Sequence, residues 1–177
     1  MRSGKPPASP DPRDVDAVAR QLGRPPRGMV SVAHRCPCGL PDVVRTMPRL
    51  PDGTPFPTHY YLTCPRAASL VGTLEADGRM REMTGRLGAD PDLAVRYAAA
   101  HARYLADRES LGHVAEIEGV SAGGMPDRVK CLHALLAHAL VAGPGVNPLG
   151  DEVRESLGDW WAAGPCVPPN GPAHDRR

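Results

Sequence analysis

Three times the chain sets an aspartate or asparagine directly before a proline: Asp11-Pro12, Asp90-Pro91 and Asn147-Pro148. A short polar side chain accepts a hydrogen bond from the open N–H groups of a first helical turn, and proline fits position one because its missing donor has no partner there. Each pair predicts a helix start. The first opens a short amphipathic helix through Val15, Val18, Ala19 and Leu22 that stops at Gly23; the second opens an Ala-rich helix to about Leu111. The third opens NPLGDEVRESLGDWW, whose early acids face the positive end of the helix dipole. Between them, Asp77-Gly78 splits a helical stretch into Arg66 to Ala76 and Arg79 to Leu87. SAGGMPDRVKCLHALLAHALVAG (121–143) predicts a Gly-rich loop, a first turn holding Pro126 and Asp127, and a helix closed by Gly143.

Ahead of the helices lie MVSVAH (29–34), VVRTM (43–47) and THYYLTC (58–64), rich in β-branched and aromatic residues and predicted as strands. Asp52-Gly53 is a strong turn signal between the last two. A small antiparallel β-hairpin region followed by a cluster of α-helices is an α+β fold. At 177 residues the length favours one domain, over residues 11–163, flanked by polar, Pro-rich ends (1–10 and 164–177) expected to be disordered. Aromatic residues are 4% of the chain, so Ala, Val, Leu and Met must build the core.

Five cysteines are present, two of them one residue apart in HRCPCG. In an extended segment, residues i and i+2 share a face, so Cys36 and Cys38 point the same way. Folding the ribbon at Asp52-Gly53 sets residue 64 opposite roughly residue 41, which returns Cys64 toward that pair. Cys131, beside a helix N-terminus that favours a thiolate, is the expected fourth ligand; His133 and His138 rank below it, the first as a core residue and the second as a flank residue. Cys36, Cys38, Cys64 and Cys131 are thus the expected metal set, with Cys166 left out because it lies in the tail. Zinc and an iron–sulfur cluster are both compatible with four thiols, and the role would be structural or redox.

SAGGMPDR suggests a second site. Glycines ahead of a helix can expose N–H groups to a phosphate or carboxylate, with Arg128 and Lys130 as added donors beside Gly123 and Gly124, and Arg45 and Arg66 approaching from the hairpin. This is a weaker signal, since the loop is not a Walker A sequence. Tyr97, His101, Tyr104 and Arg108 fall on one face of a single helix, a stripe that more often packs than lines a pocket. Neither a Ser-His-Asp order nor an H-E-x-x-H motif occurs, so catalysis has no support in the sequence.

A net charge of +1 argues against nucleic acid or anionic membrane as partners. With no apolar leader and no window of about 18 apolar residues, the expected location is the cytoplasm, where clustered thiols bind metal more often than they pair. Taken together, RCPCGLPDVVRTMPRLPDGTPFPTHYYLTCPRA, DPDLAVRYAAAHARYLADR, SAGGMPDRVKCLHALLAHAL and GPGVNPLGDE resemble the actinobacterial domain-of-unknown-function family 501, over about residues 12–152. That resemblance carries no activity. The gene neighbourhoods of its members imply a housekeeping protein linked to cell division or phosphate metabolism, with a division-related protein as partner.

Overall fold

Each Asx-Pro pair does start a helix. In the computed structural model, which describes residues 9–168, Asp11 accepts from the Arg13 N–H at 2.8 Å, Asp90 from Leu93 at 3.0 Å and Asn147 from Gly150 at 3.0 Å. The helices so capped are α1 (Pro12–Leu22), α4 (Pro91–Glu109) and α6 (Pro148–Leu157). α2 (Pro65–Ala76) and α3 (Arg79–Ala89) meet at the Asp77-Gly78 break, and α5 (Leu132–Ala142) completes the set. Of the ends expected to be disordered, 1–10 and 164–177, residues 1–8 and 169–177 lie outside the described residues.

Three strands form one antiparallel sheet in the order β1 (Met29–Arg35), β2 (Pro41–Thr46), β3 (Tyr60–Leu62), so the fold is α+β as the pattern predicted. Val43 pairs with Leu62 and Arg45 with Tyr60, and the Thr63 N–H continues that alignment onto Asp42 O at 2.8 Å. Residue 64 therefore does come opposite residue 41.

α5 is apolar on nearly every side. Leu132 and every residue from Ala134 to Leu140 are buried, including His138, which was expected on a flank. A helix with no polar face must be enclosed. β3 covers it on one side, and α2 and α6 cover it on others. The approach of α6 is very close: a Cβ at Gly150 would stand 2.4 Å from Leu135 O and 2.8 Å from Ala139 Cβ. Gly150→Ala should therefore destabilise the fold by about 1–3 kcal/mol through overpacking, read as a lower denaturant midpoint at unchanged slope.

The few rings are concentrated where the sheet meets α4 and α5. Tyr60 and His138 stack at 6.0 Å, and Tyr104 meets both edge-on at 5.6 and 5.2 Å. The Tyr104 hydroxyl accepts from the His59 N–H at 2.6 Å, while the Tyr60 hydroxyl donates to Asp107 at 3.0 Å. Asn147 serves twice. Its oxygen caps α6 and its amide donates to His138 Nδ1 at 3.2 Å, which leaves the ring proton on a buried Nε2 that has no partner among the described residues.

Candidate functional site

The thiols gather in three places rather than one. Cys36 and Cys38 occupy not a strand but the tight turn after β1, where the Gly39 N–H bonds Cys36 O at 2.8 Å and the Cys36 N–H bonds Leu40 O at 3.0 Å. Burial pushes the Cys36 thiol up to about 12 against the Cys38 N–H, which lowers it, and with the Cys38 thiol, which raises it. Cys64 lies two residues past β3 as the N-cap of α2, and β2 separates β3 from β1, whose end leads into that turn, by two strand spacings of roughly 5 Å each. Cys64 instead meets Cys166. Its hydrogen bond to Cys166 and its burial keep it protonated, and the same bond favours the Cys166 thiolate, which also accepts from Gln21 Nε2 at 3.2 Å.

Cys131 stands apart from both pairs. It caps α5, and its neighbours come from the far end of α2: Cys64 precedes that helix and Glu75 nearly ends it, 11 residues or about 16 Å of rise away. The ligating atoms of Glu75, Cys131 and His133 all lie within 4.8 Å of one another, and this is the one such group of three or more among the described residues. The expected set of Cys36, Cys38, Cys64 and Cys131 does not share a centre at that range. The hairpin register was right, but it takes a third strand and the length of α2 to see that the sulfurs part.

His133 was expected to face the core and is instead held at its edge by α2. Its Nδ1 bonds Glu75 Oε1 at 3.1 Å and its Nε2 bonds Ala68 O at 3.1 Å, while the same Glu75 oxygen accepts the Leu132 N–H at 2.7 Å. The Cys131 thiol and the Glu75 carboxylate outweigh partial burial and push His133 up to about 9. Both ring nitrogens then donate, and the imidazolium is clamped between two helices. Cys-x-His at 131 and 133 was the one hint in the sequence; nothing there pointed to Glu75.

These residues adjoin a cleft of about 980 Å³. Gly123, Gly124, Arg128, Lys130, Cys131 and His133 all line it, with Thr58 and Tyr61 among the opposing residues. The loop is closed on itself, and α5 begins only at Leu132, later than the expected first turn at Pro126 and Asp127. Arg128 N–H bonds Gly124 O at 3.1 Å in a single isolated turn, and Lys130 N–H then bonds Gly123 O at 2.7 Å instead of the carbonyl four residues back, which closes the loop. Gly124 has φ +87°, and a Cβ there would meet Arg128 O at 2.9 Å, so both conformation and space require glycine.

α4 holds this loop from behind. The Tyr97 hydroxyl donates to Arg128 O at 3.1 Å, His101 meets the Ser121 hydroxyl at 2.9 Å, and buried Arg108 donates to Val120 O and, at 2.9 Å, to Ile117 O. The polar stripe thus positions the cleft without lining it. Arg45 and Arg66, expected as supplementary donors, are turned elsewhere: Arg45 toward His59 at 3.5 Å and Arg66 onto Gly164 O at 2.5 Å. Among the described residues no helix is long and apolar enough to cross a membrane.

No curated protein and no solved structure matches the chain. Residues 32–155 match the family model described as "Protein of unknown function (DUF501)", a span that takes in β2, β3, most of β1, the cleft and the side chains of Glu75, Cys131 and His133, and the chain belongs to that family.

Proposed function

We propose that the cleft at the start of α5 binds a small phosphorylated or carboxylated ligand. The observation that carries this reading is the presence of two exposed cations, Arg128 and Lys130, on a cleft whose floor is a glycine loop, with neither cation paired to a carboxylate among the described residues. Unpaired guanidinium and ammonium groups on a concave surface are donors in search of an acceptor, and a bound oxyanion supplies several. Asp127 shares the rim with Arg128, Lys130 and the His133 imidazolium, which leaves a small positive excess that suits a compact anion rather than a nucleic-acid strand. Of the thiols expected to hold zinc or an iron–sulfur cluster, Cys131 alone stands on this cleft.

Thermal melts of the full chain with inorganic phosphate, phosphorylated metabolites and small carboxylates test the reading. At a ligand concentration 100 times its Kd, binding adds about 2.7 kcal/mol and raises the melting temperature measurably. Arg128→Ala and Lys130→Ala should each weaken that ligand about tenfold, the loss of one charge-assisted hydrogen bond. A panel without any shift, or a shift that the double variant leaves intact, would remove the anion reading.

A further inference from the structure

We propose that Glu75, Cys131 and His133 bind a divalent metal ion of the zinc class at the inner rim of the cleft, leaving a coordination position that faces the cleft interior. The inference goes beyond anion binding and stands without it.

Four features of the geometry support a metal here. First, the donors are close enough. Zinc bonds of about 2.0–2.3 Å in a tetrahedral arrangement place neighbouring ligand atoms about 3.3–3.8 Å apart. The three atoms already lie within 4.8 Å of one another, and His133 Nδ1 is 3.1 Å from Glu75 Oε1. Second, one sulfur, one imidazole nitrogen and one carboxylate oxygen form a donor set that zinc accepts and that magnesium or calcium does not prefer.

Third, the surroundings have the form of a supporting shell. A metal-bound histidine commonly donates its other ring N–H to a carbonyl or carboxylate, which fixes the ring and sends the free nitrogen to the ion. His133 Nε2 meets Ala68 O at 3.1 Å, and this leaves Nδ1 turned to Glu75 and Cys131. Glu75 is oriented in the same way by the Leu132 N–H at 2.7 Å. In the metal-free protein, His133 Nδ1 bonds the Glu75 carboxylate, and the ion would sit in place of that hydrogen bond. Fourth, the ligands sit on rigid elements, since α5 is enclosed along most of its length and α2 packs against it.

Three protein ligands leave zinc one position short of four, the composition of a reactive site rather than a purely structural one. Cys131 and His133 line the cleft and Glu75 does not, so the open position points toward Gly123, Gly124 and Lys130. Water or an oxygen of a bound oxyanion would fill it.

The test uses the full chain stripped with a chelator and then titrated with zinc or cobalt(II). One equivalent should bind. Cobalt should give a near-ultraviolet thiolate-to-metal band and the intense visible bands of a four-coordinate site. Cys131→Ser should abolish the charge-transfer band, and Glu75→Gln or His133→Gln should weaken zinc by more than the ~100-fold that loss of a residue merely orienting a ligand can cost. Cys36→Ser, Cys38→Ser and Cys64→Ser should leave uptake unchanged. Because Glu75 also caps α5, a second measurement needs no variant: zinc should protect Cys131 of the unmodified chain from alkylation, mapped by mass spectrometry, while Cys38 stays reactive. The proposal is overturned if the folded chain takes up neither ion. It is equally overturned if uptake survives Cys131→Ser but is lost in Cys36→Ser, or if zinc leaves Cys131 alkylation unchanged. Failure of the anion reading is recorded separately, by phosphate melts on the metal-free protein.

Discussion

Lowering the pH from 7 to 4 should sharply reduce the stability of this protein, because two imidazoles are buried in neutral form. Burial pushes both His59 and His138 down to about 4, with Arg45 adding to the effect at His59. In the unfolded chain they take up protons near 6.5, so between that pH and about 4 the unfolded state binds protons that the native state refuses. Stability therefore falls as the pH drops through this window, by about 3 kcal/mol for each ring, against the 5–15 kcal/mol that a domain commonly has. Denaturant titrations from pH 7.5 to 4 should show a steep loss that begins below 6.5. In NMR the two rings should stay neutral to about pH 4, and His138→Phe, which keeps the ring stack on Tyr60 but cannot titrate, should move acid unfolding to lower pH. Ordinary titration of both rings near 6.5 in the folded protein would refute this account.

Arg108→Ala should cost roughly 3–5 kcal/mol, the largest effect expected of any single change outside the apolar core. The guanidinium is fully buried at the end of α4, bonds the carbonyls of Ile117 and Val120, and has a weaker contact to Glu109 at 3.3 Å. Truncation leaves two carbonyls without donors as well as a cavity. Lysine should not restore the loss, since an ammonium cannot match the planar fork that serves both carbonyls. Residues 117–120 lead directly into the cleft loop, so a partly stabilised Arg108→Lys protein should also bind the proposed oxyanion more weakly. Urea titrations and phosphate melts on the same sample measure both effects. A variant as stable as the parent would show that Arg108 does not hold the loop.

The secondary structure was legible in the sequence because its signals are local. Asp11, Asp90 and Asn147 each announce a helix through a hydrogen bond to a residue two or three positions on, and the Asp52-Gly53 turn fixes the β2–β3 register through direct neighbours. The candidate site was only half legible. Cys131, Arg128, Lys130 and the glycine loop belong to one contiguous stretch and do line one cleft. Glu75 lies 56 residues from Cys131, on a helix whose packing direction no local pattern reveals. Cys166 was excluded for its Pro-rich context, yet Cys64 and Gln21 both hold it. The four-sulfur centre missed for a related reason: pairing rules place residues along one ribbon, whereas separation across β2 and along α2 depends on the three-dimensional stack.

The enclosure of α5 has a consequence for how the chain can be divided. Its wrapping comes from both sides of the sequence, β3 and α2 from before it and α6 from after, so neither half retains the whole cover for that greasy rod once the other is cut away. Severing the chain on either side would bare an oily cylinder instead of releasing a smaller working unit, and the molecule should melt as one piece.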